Sequence, residues 1–550
     1  MKPKVNQAVF ILLAALLGLG AAVSPAAANN LGLENVRLTG YDDVNDLYDL
    51  EFDISWENSW LDAGAPGPAA NWDAAWLFAK FSVYDGSNWG DWAHCTLLNA
   101  GSSAPAGSQF TFADNQGDGV YRGAFIYRSA SGSGSNNWDN AQIRWDYGAD
   151  GVADGALVQV KLFAIEMVHI PGGSFYVGDT DCDNTGNIMH NAGCSGAVQI
   201  SAAPTAALCT EANGYDSGVE CAGGNSTGTF CIDGDGGFDL SCDGIENPDF
   251  PTGYGAFYLM KYEISQGQYA DFLNTLTRAQ QNTRTASQSA GQYVMSNTAL
   301  VNYRSGLRAP AVIPSGAITF GCDLEGITAH NTSAGDGVFN ESNDGQDVAA
   351  NYLSWMDGAA YLDWAALRPF TELEFEKAAR GPQPAVDDEY AWGDAALEAA
   401  ATTLLGSGQA GEVPNQGNMN YSSVSPDGPF RVGSFADGSS SRANAGAGYY
   451  GVMELSGNLW ERTVTVGNAA GQAFSGTHGD GVLSSDGYGT NSDWPGQSAG
   501  KITGATGSGF RGGTWDDAAT YARVAARAVA AASNANRFDD NGFRGARTSP

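Results

Sequence analysis

The stretch FRGGTWDDAATYARVAAR, residues 510–527, pairs a Gly-Gly turn with two carboxylates, a run of small side chains and two arginines, Arg523 and Arg527. The small residues continue through ARVAARAVAAA and SNAN, and small side chains leave an open, shallow face. No cysteine follows Cys322, so the stretch has no nearby thiol in sequence. It closes a region that, from Gly381 onward, reads as Gly/Asn/Ser loops with short apolar pieces. Irregular backbone of that length needs something to fix it, and bound cations are a common solution.

Upstream, the texture becomes regular. AANYLSWMDGAAYLDWAAL (349–367) places Leu353, Met356, Ala360, Trp364 and Leu367 on one helical face. In RPFTELEFEKAARG (368–381), Thr371 and Glu374 form a capping box that opens a second helix. In FYLMKYEISQGQYADFLNTL (257–276) a strand runs into a helix capped by Ser265 and Gln268. The polar segment 278–345 has little periodicity and reads as loop, and MVHIPGGSFYVGD (167–179) gives two short strands around a turn. Residues 167–550 are therefore expected to form a loop-rich α+β domain.

Between residues 180 and 250 this domain carries a Gly- and Asp-rich insert, and no Lys or Arg occurs between Lys161 and Lys261. Six of the eight cysteines lie here: Cys182, Cys194, Cys209, Cys221, Cys231 and Cys242. None has the C-x2-C spacing of a zinc site, and an even cluster predicts a disulfide framework. Pairing of Cys95 with Cys322 is left open.

Residues 29–166 alternate apolar and polar positions in runs such as LYDLEFDISW, AAWLFAKFSVY and ALVQVKLFAIEMV, separated by Gly, Asn, Asp and Ser. That pattern predicts an antiparallel β-sandwich with Trp76, Phe78, Phe81 and Val83 in its core. The Asp/Gly segments 114–121 and 146–154 lack calcium-loop spacing and read as turns. At the start, Lys2 and Lys4 precede an apolar run and the small residues Ala26-Ala27-Ala28, which is the pattern of a secretory signal peptide over residues 1–28. The run is shorter than the ~20 residues that span a bilayer, so no membrane span is expected. The mature chain is expected to be secreted, periplasmic or at the cell surface. With a formal charge of −35, nucleic acid is excluded as a natural partner.

Five blocks in order resemble the formylglycine-generating enzyme family, also called the sulfatase-modifying-factor domain. They are MVHIPGGSFYVGD, FYLMKYEISQGQYADFLN, LRPFTELEFEKAARG with YAWGD, YYGVMELSGNLWERT, and FRGGTWDDAATYARVAAR closing with NRFDDNGFRGAR. The resemblance implies a fold related to C-type lectins over residues 167–550. It also implies an activity, oxidation of a substrate cysteine to formylglycine with oxygen and copper(I) held by two cysteines. Counted from Gly512-Gly513, those cysteine positions fall on Asp517 and near Ala522. Copper(I) is soft and prefers sulfur, so copper is not expected.

The resemblance further implies calcium, held by Glu454 and Glu461 with the carbonyls of Gly457 and Leu459. A second calcium would lie among Asn418, Asp427 and the carbonyls of Met419 and Pro429. Trp460, Thr514, Trp515, Asp517, Arg523 and Arg527 would line the former catalytic groove, the arginines either meeting a ligand or bridging loops internally. The five histidines are scattered in sequence, which leaves iron open. A non-catalytic module binding a glycan or an extracellular protein is the favoured expectation, and an oxygen-dependent oxidoreductase with another metal is its rival.

Overall fold

The computed structural model describes residues 30–64, 70–114, 119–180, 196–202, 245, 247–422 and 426–550. The expected signal peptide, the six-cysteine framework and the middle of the 114–121 turn lie outside the described residues. Cys95 and Cys322 are both free and buried. No described helix is long and apolar enough to cross a membrane.

Nine strands precede residue 171: β1 (Gly32–Asp42), β2 (Leu47–Asp62), β3 (Asn71–Val83), β4 (Ala93–His94), β5 (Leu97–Ser103), β6 (Ser108–Asp114), β7 (Tyr121–Arg128), β8 (Gly132–Asp146) and β9 (Val158–Ile170). All their pairings are antiparallel, in the order β1-β2-β8-β5-β7-β3-β9. The end of β2 also pairs with β3, Leu61 opposite Trp72. The sheet therefore curls and closes on itself, where the sequence pattern had suggested a two-sheet sandwich. Leu50, Phe52, Ile54 and Trp56 of β2 point inward at every second position, as a pleated strand requires, and meet Leu77, Ile126, Ile143 and Trp145 in one core.

β3 is buried on both faces. Leu77 and Phe81 fill the closed sheet, whereas Trp76 and Phe78 belong to a second core with the C-terminal part of the chain. Residues 76, 78, 81 and 83 thus do not share one side. The Trp76 indole N–H donates to the Ala365 carbonyl at 2.8 Å.

After β10 (Phe175–Val177) and β11 (Val198–Ile200), β12 (Phe257–Met260) continues the same sheet by pairing with β9, and the strand Ala546–Thr548 pairs with β12 in turn. β9 accordingly runs through position 167 and joins both halves of the molecule. Five α-helices follow among the described residues: α1 (Gln266–Leu273), α2 (Arg278–Arg284), α3 (Trp355–Trp364), α4 (Glu372–Arg380) and the one-turn α5 (Ala469–Gln472). The Ser265/Gln268 and Thr371/Glu374 capping boxes are both formed. α2 lies within the segment read as loop and has its own box, Thr277 with Gln280. α3 is buried nearly all round, with Met356 partly covered, so its stripe is not a single face. The remainder is mostly loop, with a few two-residue strand pairs, a short 3-10 turn and a small sheet in which Trp460–Val464 pairs with Ser508–Arg511 and Asn541–Gly542.

Candidate functional site

Trp460 opens the small sheet, and its indole N–H donates to Asp517. Gly512 and Gly513 both adopt positive φ (94° and 70°), and a Cβ on Gly513 would lie 2.9 Å from the Ala522 backbone nitrogen. The Gly-Gly turn therefore lets Ala522 close against it. Burial, then the neighbouring Asp516, pushes the Asp517 carboxyl up to about 6, and its Oδ2 has no hydrogen-bond partner. Burial raises Asp540 to about 6 as well, with Asp539 beside it. Tyr521 is 39% exposed and stands edge-on to Trp460 at 6.1 Å. The face is thus acidic and aromatic.

The other expected groove residues are placed differently. Thr514 and Trp515 are buried, the Trp515 side chain packing with Leu459 and Ala349. Arg527 is buried and donates to both oxygens of Glu372, at 2.7 and 2.9 Å. Arg523 pairs with Asp388 at 2.6 Å. Arg527 thus bridges elements internally, whereas the Arg523–Asp388 pair is partly exposed. Asp539, Asp540 and the pairing of His330 with Asp427 (3.1 Å), stacked on Tyr303, are not legible in the sequence, although Asp427 itself is expected there as a calcium ligand. They come from loops without periodicity, and only their acidity was visible.

Beneath this face lies a buried carboxylate cluster. Glu461 is ion-paired through Oε1 to Arg544, while its Oε2 has no partner. Glu454 accepts from the Gly433 N–H at 2.7 Å through Oε1, and its Oε2 is likewise orphaned. Glu263 accepts from Asn458 Nδ2 at 2.5 Å and from the Leu459 N–H at 3.0 Å. Burial pushes Glu454 and Glu461 each up to about 7, and Glu263 well above its ordinary value. Arg544 is already committed to the carbonyls of Met260, Lys261 and Met453.

Asn418 and Met419 line the same cavity of about 10 Å³ as Glu454, and Asn418 Oδ1 is buried without a donor. The structure thus gathers members of the two expected calcium sets around one small void. Asp427 faces His330 instead, and the Pro429 carbonyl accepts from Arg304 Nε at 2.8 Å. Among the described residues, the donorless oxygens of Glu454 and Asn418 share this void, whereas Glu461, also with a donorless oxygen, does not line it. Hard oxygens of this kind suit Ca²⁺.

The thiol positions do not fit copper. Asp517 offers a hard oxygen and Ala522 a methyl group, and the free cysteines among the described residues, Cys95 and Cys322, sit in separate hydrophobic cores. Among the described residues, the trios of side chains placed to share an ion are all carboxylates and include no histidine.

The Sulfatase-modifying factor enzyme 1-like domain matches residues 216–549, more than half of the chain, and the protein belongs to that family. Among curated relatives, the Formylglycine-generating enzyme of Mycobacterium tuberculosis (strain ATCC 25618 / H37Rv) is 33% identical over 115 residues. That alignment spans 20% of this chain and 32% of that enzyme.

Proposed function

We propose that the chain is a calcium-stabilised, non-oxidising member of the family, exported from the cytoplasm, that binds a glycan or an extracellular protein through the Trp460 face. The observation carrying this reading is the pair Asp517 and Ala522, where the resemblance expects thiols, within a frame that is otherwise packed. Calcium, when bound, would supply positive charge and coordination to the buried oxygens of Glu454 and Glu461, joined by the carbonyls of Gly457 and Leu459. Asn418 adds a further oxygen from the void it shares with Glu454. On the surface, Trp460 and Tyr521 offer ring faces for stacking on a sugar or an apolar side chain, and the exposed Asp516 offers an acceptor for hydroxyl or ammonium groups.

Elemental analysis of the purified protein tests this directly. Calcium without copper or iron is expected, together with calcium-dependent binding on a glycan array or to a protein partner that Trp460→Ala abolishes. Stoichiometric copper or iron would favour the rival, an oxygen-dependent oxidoreductase using a different metal site.

A further inference from the structure

A well-formed cleft lies away from the Trp460 face. It measures about 400 Å³ and runs between β1 and β9 on one side and α1 with the loops at 346–347 and 431–432 on the other. Its apolar wall includes Phe163 of β9 and Trp364 of α3, whose rings meet edge-on at 4.8 Å. Trp364 is buried, and its indole N–H has no acceptor.

Four carboxylates line this cleft, and two are already engaged. Glu166 is paired with Lys261 at 2.8 Å, and Glu263 is held by Asn458 and Leu459. Asp271 and Asp347 are exposed and line the cleft, and among the described residues neither carboxylate has a hydrogen bond or ion pair. The Gly267 N–H donates to the Gln346 carbonyl at 2.8 Å, so α1 and the 346–347 loop touch. Asp271 is one helical turn beyond Gly267 and Asp347 is next to Gln346, so the two acids flank one contact. Arg431, the cation on the wall, is committed to Glu412 and the Val432 carbonyl. Lys161 attracts Asp271 without forming an ion pair, its ammonium resting over Trp92 at 5.0 Å. Desolvation by the surrounding protein raises the pKa of both carboxyls, opposed by the attraction of Lys161 on Asp271 and of Arg431 on Asp347.

We propose that this cleft binds a cationic ligand, an ammonium or guanidinium carried on an apolar or aromatic body. The charge sits with Asp271 or Asp347 and the body lies against Phe163 and Trp364. A free organic amine and a Lys or Arg side chain of a peptide share this chemistry. The site is built jointly by β9 and α1, so it gives the N-terminal strands a part in recognition, independently of any activity at Trp460.

Isothermal titration of the full chain with phenylbutylamine, phenylbutanol and an acetylated Phe-Lys dipeptide amide tests the proposal. Saturable binding of the amine or the dipeptide is expected, the former alone marking a small amine as the ligand class and the latter alone a peptide. The uncharged alcohol, and the Asp271→Asn/Asp347→Asn double variant, should each lose about tenfold or more. Both substitutions are at exposed positions, and an unchanged melting temperature verifies folding. Asp437→Asn, an exposed acid that does not line the cleft, should bind like the wild type. The proposal is overturned if neither cation binds, if the alcohol matches the amine, if the double variant keeps full affinity, or if Asp437→Asn weakens binding equally.

Discussion

Glu372 is fully buried and still charged, because Arg527 grips both of its oxygens while the Val466 N–H and the Thr465 hydroxyl donate to Oε1. One turn on, Glu376 takes Arg511 at 2.5 Å and Arg380 at 3.1 Å. Removing one partner from such a pair strands the other charge in the interior. Glu372→Gln should therefore cost about 3–5 kcal/mol in urea unfolding, and a loss under about 1 kcal/mol would refute the internal role assigned to Arg527. The sequence could not reveal this pairing, since its two ends lie 155 positions apart. It did allow either an internal bridge or a ligand contact for Arg527, and the geometry selects the bridge. Asp517 was legible for the opposite reason: its place is counted from an adjacent Gly-Gly turn. That Asn418 would share a void with Glu454 was not, because the contact depends on how two loops cross.

At the scale of elements, local grammar carried the reading as far as local forces act. The caps at Ser265 and Thr371 are chosen by the next three residues, so both were readable and both are formed. Thr371→Ala removes the oxygen that accepts the Glu374 N–H at 3.1 Å, and also the donor to the Pro251 carbonyl. It should destabilise the protein by about 1 kcal/mol, read as a lower denaturation midpoint at unchanged slope. α2 carries the same signal in Thr277 and Gln280 but lacks an apolar stripe, and without periodicity its sequence reads as loop. β3 was recognised as a strand, yet its two-sided burial follows from what packs outside the closed sheet, which alternation along one strand cannot tell.

For the whole molecule, the consequential feature is β9, which pairs with β3 and β12 and makes the N-terminal strands continuous with the family domain. A change of texture near Met167 was visible in the sequence, whereas a strand crossing that position was not. His169 sits at this junction, opposite both Trp72 and Tyr258, with its ring stacked on Trp72 at 3.7 Å. Burial pushes its imidazole down to about 4. The unfolded chain takes up that proton near pH 6.5, so stability should be full above that pH and fall as pH drops toward 4, by up to roughly 3 kcal/mol. Urea unfolding at several pH values checks the slope, and His169→Phe should flatten it; an identical slope in the variant would remove His169 as the cause. The account as a whole turns on the Trp460 face, where a carboxylate and a methyl stand at the positions for which the family resemblance implies thiols. The most direct measurement incubates the purified protein with copper(I), oxygen and a CxPxR peptide and looks for aldehyde by mass spectrometry. The account predicts unmodified cysteine, and formylglycine produced by this chain would contradict it.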